Sequence, residues 1–312
     1  MQNKITATKF KSATSVASRL FSRIASLGAV ILTCATAWAQ NLIVSGTDAH
    51  GGKIFKFTWD GKQSILSSGW TNPWDAAFES AGNLFVVDYD RGGLLGNAAI
   101  CKISANGTRT TLASGLSYPS YLAADKAGNL FVADYNNGVI YEYKTNGNRV
   151  TFASGLYHPV GMTFDSLGNL FVADNNIGNI HQGDIYQYKP DGSRTTFAVL
   201  GSSDSPADLA FNTMGNLLVA DQDGNIYMYD LNGVLRRQGN RTIFGSVPDS
   251  ARSLAFDGAG NLFVVDAGDV KGNGNAIYKF TLQGTRSSFA SGSALCETFS
   301  RVVFEPTLPH SQ

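Results

Sequence analysis

Cysteine is nearly absent: the 312 residues hold three, Cys34, Cys101 and Cys296. So few cannot make a disulfide framework for a chain of this length, and a large apolar core has to stabilise it. Charge is sparse as well. Asp, Glu, Lys and Arg make up 15% of the chain, with 24 bases against 24 acids. Such a chain has no dense basic face to neutralise phosphates, which excludes a nucleic-acid partner. Histidine occurs four times, and there is no Gly-x-Ser-x-Gly elbow, phosphate loop or Cys-x-x-Cys pair. The sequence is rich instead in glycine, with 34 residues. That turn-rich composition disfavours helical bundles and coiled coils.

The bases are unevenly placed. Residues 1–39 hold Lys4, Lys9, Lys11, Arg19 and Arg23 and no acid, and a short apolar stretch over 27–38 ends in Ala37-Trp38-Ala39. A basic region, a short apolar region and an A-x-A site predict a secretory signal peptide over 1–39, cleaved after Ala39. The apolar stretch is shorter than the roughly 20 residues of a membrane span, so no retained anchor is expected. Cys34 follows Leu32-Thr33, a poor approach for lipid attachment. The expected product is exported, secreted or periplasmic, and starts at Gln40. It carries 19 bases and 24 acids, a net of −5. Its two cysteines, Cys101 and Cys296, are expected as free thiols.

Internal repetition dominates the rest. Gly82-Asn83-Leu84-Phe85-Val86-Val87-Asp88 recurs at 128–134, 168–174, 215–221 and 260–266, with a reduced copy, Asn41-Leu42-Ile43-Val44-Ser45, near the start. Starts 40 to 47 residues apart, with several short strands in each unit, describe β-propeller blades. Each unit reads as four strands. A short inner strand such as Gly161-Met162-Thr163-Phe164 leads through an Asp-x-x-Gly-Asn turn into a fully apolar strand buried on both faces. A third strand alternates, as in Ile185-Tyr186-Gln187-Tyr188. A fourth is polar, as in Arg194-Thr195-Thr196-Phe197, and suits an exposed outer edge. Inner strands near Trp74, Ser120, Val160, Ala207, Arg252 and Ser300 make six blades. The expected mature chain opens with a second strand, and its last recognisable strand is an inner strand, Arg301-Val302-Val303-Phe304. The expectation is therefore an all-β, six-bladed β-propeller over 40–312, made of four-stranded antiparallel blades. Its C-terminal strand completes the N-terminal blade.

The units of the form P-x-x-L-A-F-D-x-x-G-N-L-F-V-A-D, followed by I-Y-x-Y and R-T-T-F-A-S-G-L, resemble NHL-type propellers. They are also similar to the senescence-marker-protein/gluconolactonase-like superfamily. For the gluconolactonase-like enzymes the resemblance implies a divalent metal at the channel mouth, held by Glu, Asn and Asp near the start of separate inner strands. The matching positions here are Trp74, Ser120, Val160, Ala207, Arg252 and Ser300, none of them acidic or Asn. One residue further on stand Asp75, Tyr121, Gly161, Asp208, Ser253 and Arg301, which offer two carboxylates in a shifted register.

Function is expected on the face bearing the second-to-third and fourth-to-first loops. The candidate mouth residues are Trp74, Asp75, Tyr121, His158, Asp208, Arg252 and Arg301, a mixed polar and aromatic rim for a small molecule, a sugar or a peptide of a partner protein. The Asp that ends each second strand recurs in five units and reads as structural. No cofactor motif is present. The loop at 268–275 offers oxygens to calcium, and His50, His158 and His181 fall in loops where zinc would be sought, although His50 lies in the first blade and the other two in the fourth. The leading expectation is a ligand-binding or protein-interaction module, with a metal-dependent lactonase of altered ligand set as the alternative.

Overall fold

A computed structural model describes residues 40–48, 50–89, 98–175, 183–201, 203–230, 241–268, 275–291 and 298–306. Twenty-four strands, β1 to β24 in chain order, form six four-stranded antiparallel sheets. Blades 2 to 6 are meanders of consecutive strands. Their innermost members are β4 (Pro73–Phe78), β8 (Pro119–Ala124), β12 (Pro159–Phe164), β16 (Pro206–Phe211) and β20 (Ala251–Phe256). Blade 1 has the order β24-β1-β2-β3, so β24 (Thr298–Phe304) lies inside β1 (Leu42–Asp48). Leu42 pairs with Phe304 and Ser45 with Arg301. Each inner strand packs on the inner strands of both neighbouring blades, and β20, β24 and β4 complete the circle. The six-bladed ring closed by its last strand is what the repeat register predicts.

The repeated residues build this ring through three recurring contacts. The second strand of each of blades 2 to 6 is buried along its length, as Leu84–Asp88 and Leu170–Asp174 illustrate. In blades 3, 4 and 6 its Phe meets edge-on the Phe that ends the next blade's inner strand. Phe131–Phe164, Phe171–Phe211 and Phe263–Phe304 have centroids 5.0, 4.9 and 5.0 Å apart. Burying such rings is the main apolar stabilisation between blades. In the inner turn, Asp165 Oδ1 accepts from the amides of Leu167 and Asn169 at 2.9 and 2.8 Å, and Gly168 takes φ +83°. Asp125 and Asp257 bind their own turns in the same way.

The third contact explains the arginine of the outer strand in blades 3 to 6. Its guanidinium lies over an aromatic ring, Arg149 over Tyr141, Arg194 over Tyr186, Arg241 over Tyr227 and Arg286 over Tyr278, at 3.8 to 5.0 Å from the centroid. The outer strand is exposed, so a charged residue discourages edge pairing while its stem and cation cover the ring. Cys101 is a free, buried thiol in the third strand of blade 2, and Cys296 lies outside the described residues.

Candidate functional site

Every inner strand carries a bulge at the same end. Pairing with the second strand skips Trp74, Ser120, Ala207 and Arg252 in blades 2, 3, 5 and 6, and Ser300 in blade 1. In blade 4 the skip falls one position later, at Gly161. A bulge re-aims the side chains beside it, and here it turns the following residue of each strand into the channel. That series is Asp75, Tyr121, Asp208, Ser253 and Arg301, and Asp75, Asp208, Ser253 and Arg301 are all buried. Gly161 completes the ring with φ +51°. A Cβ there would stand 2.8 Å from Asp208 Cα, so glycine lets β12 and β16 approach.

Arg301 fills the channel. Its Nε lies 2.9 Å from Asp75 Oδ1 on the adjoining blade, and its Nη1 contacts Asp208 Oδ2 two blades away in the other direction. Asp75 and Asp208 sit on opposite blades, so one guanidinium ties two carboxylates across the ring. The contacts are coulombic rather than angled as hydrogen bonds. The carboxylates are fixed by backbone as well. Asp75 Oδ2 accepts from Leu122 N at 2.5 Å, and Asp208 Oδ2 accepts from Leu254 N at 2.8 Å. Ser253 donates to Asp208 at 3.3 Å and accepts from Val302 N at 3.1 Å. Burial pushes the Asp75 carboxyl up to about 7; Arg301 pulls it down and the Asp208 charge pushes it further up. Burial works against the Arg301 charge, but Asp208 and Asp75 hold the guanidinium above its ordinary value. Tyr121 is raised, first by burial and then by the two carboxylates.

Over this plug opens a cavity of about 160 Å³ lined by Trp74, Asp75, Tyr121, Arg252, Phe299 and Ser300, among others. Four of the sequence-derived candidates, Trp74, Asp75, Tyr121 and Arg252, thus meet in one cavity, with Asp208 and Arg301 in the plug. His158 lies elsewhere. Its ring stacks on Tyr135 at 4.3 Å, and its Nδ1 is 3.2 Å from the Asn175 carbonyl. His50 is exposed on the β1–β2 turn, and His181, His310 and 269–274 of the candidate calcium loop lie outside the described residues. Among the described residues, no group of three or more His, Cys, Asp or Glu stands together as metal ligands.

The sequence reading missed a run of rings along the rim. Trp74, Tyr89, Tyr118, Tyr135 and His158 follow one another at 6.1, 5.1, 5.6 and 4.3 Å across blades 2 to 4. The equivalent positions of blades 5 and 6 are Ser205, Gln222, Ser250 and Ala267, joined by the same backbone hydrogen bonds. The rings are therefore not needed for the blade itself. Four of the aspartates that end the second strands hold the amides of the loop entering the inner strand. Asp88 accepts from the amides of Thr71 and Asn72, Asp174 from Tyr157 and His158, Asp221 from Ser205 and Asp266 from Ser250.

A divalent metal of the lactonase type does not fit this donor set. The positions that would carry its ligands are Trp74, Ser120, Val160, Ala207, Arg252 and Ser300. The two carboxylates one residue further on already enclose the Arg301 cation.

These features define a six-bladed β-propeller whose channel is closed by a buried ion cluster beneath a mixed aromatic and polar mouth. No family model matches the chain, and no curated protein does. Among solved structures it is similar to a protein of unknown function from Bacteroides caccae, at 16% identity over 86% of this chain and 99% of that one, with a TM-score of 0.61. It is also similar to a gluconolactonase from Xanthomonas campestris, at 18% identity over 73% and 84% with a TM-score of 0.54. Virginiamycin B lyase from Staphylococcus aureus is similar at 16% identity over 69% of each chain, with a TM-score of 0.52. At these identities the likeness is one of fold.

Proposed function

We propose that this protein is an exported binding module that takes a ligand at the channel mouth and does not use a metal to hydrolyse it. The observation that carries this reading is the plug. Metal-assisted hydrolysis needs carboxylates free to hold an ion that activates water, and here Asp75 and Asp208 are engaged by Arg301. What remains above them is a small concave site with aromatic walls and a few polar groups, the usual form of a ligand pocket. The gluconolactonase and lyase neighbours share the frame, and function rests on the residues placed in it.

Purified protein tests the reading directly. Elemental analysis should give less than stoichiometric divalent metal, and lactone hydrolysis should stay at the buffer rate with or without chelator. Bound metal with chelator-sensitive turnover overturns the proposal. Export is checked by expressing the whole chain in a bacterium and sequencing the N-terminus of the periplasmic product, expected at Gln40. Recovery only as uncleaved cytoplasmic protein overturns that part.

A further inference from the structure

The plug is short of one positive charge. Two buried carboxylates, Asp75 and Asp208, share the single guanidinium of Arg301. The other channel groups at this level, Tyr121, Ser253 and Gly161, bring no charge. With both acids ionised the cluster holds one excess negative charge in a buried place, where an uncompensated charge is costly. Asp75 Oδ1 is buried with Arg301 Nε at 2.9 Å beside it, and Asp75 is the member of the cluster that reaches the cavity wall.

The rest of that wall favours one way of supplying the missing charge. Trp74, Tyr121 and Phe299 line the cavity, and Tyr89 packs edge-on against Trp74 at 6.1 Å. Aromatic faces attract cations through their quadrupoles, most strongly where water is excluded. Hard divalent ions need about six oxygen ligands, and this wall offers one carboxylate, Asp75, beside the neutral oxygens of Asn72, Asn275 and Ser300. At about 160 Å³ the cavity is far larger than the roughly 10–15 Å³ that one water molecule needs. Arg252 is the one positive side chain among the described lining residues. It is exposed, on β20, across the ring from Tyr121 on β8, with no carboxylate at ion-pair distance among the described residues.

We propose that the mouth cavity binds a monovalent organic cation, an alkylammonium group, whose charge completes the Asp75–Arg301–Asp208 cluster while its methyl or methylene groups lie against Trp74 and Tyr121. This rests on the binding role proposed above and names its ligand class. A proton or a bare alkali ion can supply the charge but gains nothing from the aromatic walls.

Calorimetric titration of the purified protein with tetramethylammonium chloride, at fixed ionic strength, tests it. Saturable one-to-one binding is expected, with the neutral isostere neopentyl alcohol at least about 5-fold weaker, the worth of a single cation–π contact. Arg252→Gln, on an exposed residue, should tighten tetramethylammonium by removing a nearby like charge. Trp74→Leu should weaken it. Equal affinity for the neutral compound, no saturable binding in either wild type or Arg252→Gln, or loss of affinity in Arg252→Gln each overturns the inference. So does calcium chloride that saturates the site when tetramethylammonium does not displace it. A neutral or anionic compound binding in its place removes the ligand class and leaves the binding role standing, whereas metal-dependent lactone turnover removes the role itself.

Discussion

Arg301 and Asp75 meet at 2.9 Å although they lie at opposite ends of the folded chain, one on its last strand and one on its first complete blade. The same guanidinium reaches Asp208 on the blade opposite Asp75. Strand pairing of β24 with β1 closes the ring at its circumference, and this cluster ties it across the middle. Removing the arginine alone leaves two buried carboxylates uncompensated. Arg301→Met should therefore cost about 3–5 kcal/mol in denaturant unfolding, the usual loss when one partner of a buried ion pair is deleted. Adding Asp75→Asn and Asp208→Asn to Arg301→Met should recover part of that loss. A triple variant no more stable than the single one contradicts the account.

The pH response of stability follows from the same cluster. Asp75 is faced by Asp208, Arg301, Tyr121 and Tyr89, and its folded value of about 7 lies well above the ordinary 3.8. Between those values the folded protein keeps a proton that the unfolded chain releases. Its contribution is full below pH 4 and is lost as pH rises through 7, with a slope of at most about 1.4 kcal/mol per pH unit. Asp221, raised to about 6 mainly by burial, acts in the same direction. Thermal unfolding from pH 5 to 8 should show falling stability, and Asp75→Asn should flatten the slope. An unchanged slope in that variant assigns the effect elsewhere.

The ring was legible because its signals are local and repeated. Gly-Asn-Leu-Phe-Val-x-Asp marks the second strands, the alternating Ile-Tyr-x-Tyr the third, and the offset between the first and last partial units shows that the ends pair. The channel series Asp75, Tyr121, Asp208, Ser253 and Arg301 was legible as a register. That Arg301 would pair with both acids was not, because the three residues come from blades distant in sequence and meet only on the ring axis. The rim rings were hidden for another reason. Tyr89 and Tyr135 each follow the Asp of a second strand, and Tyr118 and His158 precede the Pro of an inner strand, at positions where Ser, Gln and Ala do the same backbone work in other blades. Comparing those positions blade by blade would have found them. His158, chosen as a mouth residue, belongs to that rim.

Gly161 offers a separate test of the channel packing. Its φ is +51°, and an added Cβ would face Asp208 Cα at 2.8 Å and the Ala207 carbonyl at 3.2 Å, both backbone. Gly161→Ala must either push β16 outward or strain β12. Strained backbone costs about 1–3 kcal/mol per residue, so a loss of at least that size is expected in denaturant unfolding. Gly147→Ala, at φ +88° but with open space around it, is the control for strain alone. If the two variants lose the same amount, the close approach of β12 to β16 has no energetic weight.

Asp174 decides whether the aspartates ending the second strands are structural. Its two oxygens accept the Tyr157 amide at 3.0 Å, and Oδ1 also takes the His158 amide at 2.8 Å, which fixes the loop entering β12. Asp174→Ala strands both donors in a half-buried place, and an unmet donor costs about 1–3 kcal/mol. Asp174→Asn keeps one acceptor oxygen and should lose less. Burial raises the carboxyl above its ordinary value even so, which means that the two amides do not fully repay the desolvation of the charge. If the ring of aspartates serves only the loops, both variants lower the unfolding midpoint and leave tetramethylammonium affinity within a factor of about two, because the cation site draws its charge from Asp75. An affinity that collapses in Asp174→Asn while the fold holds would move the site from the channel mouth to the rim around His158.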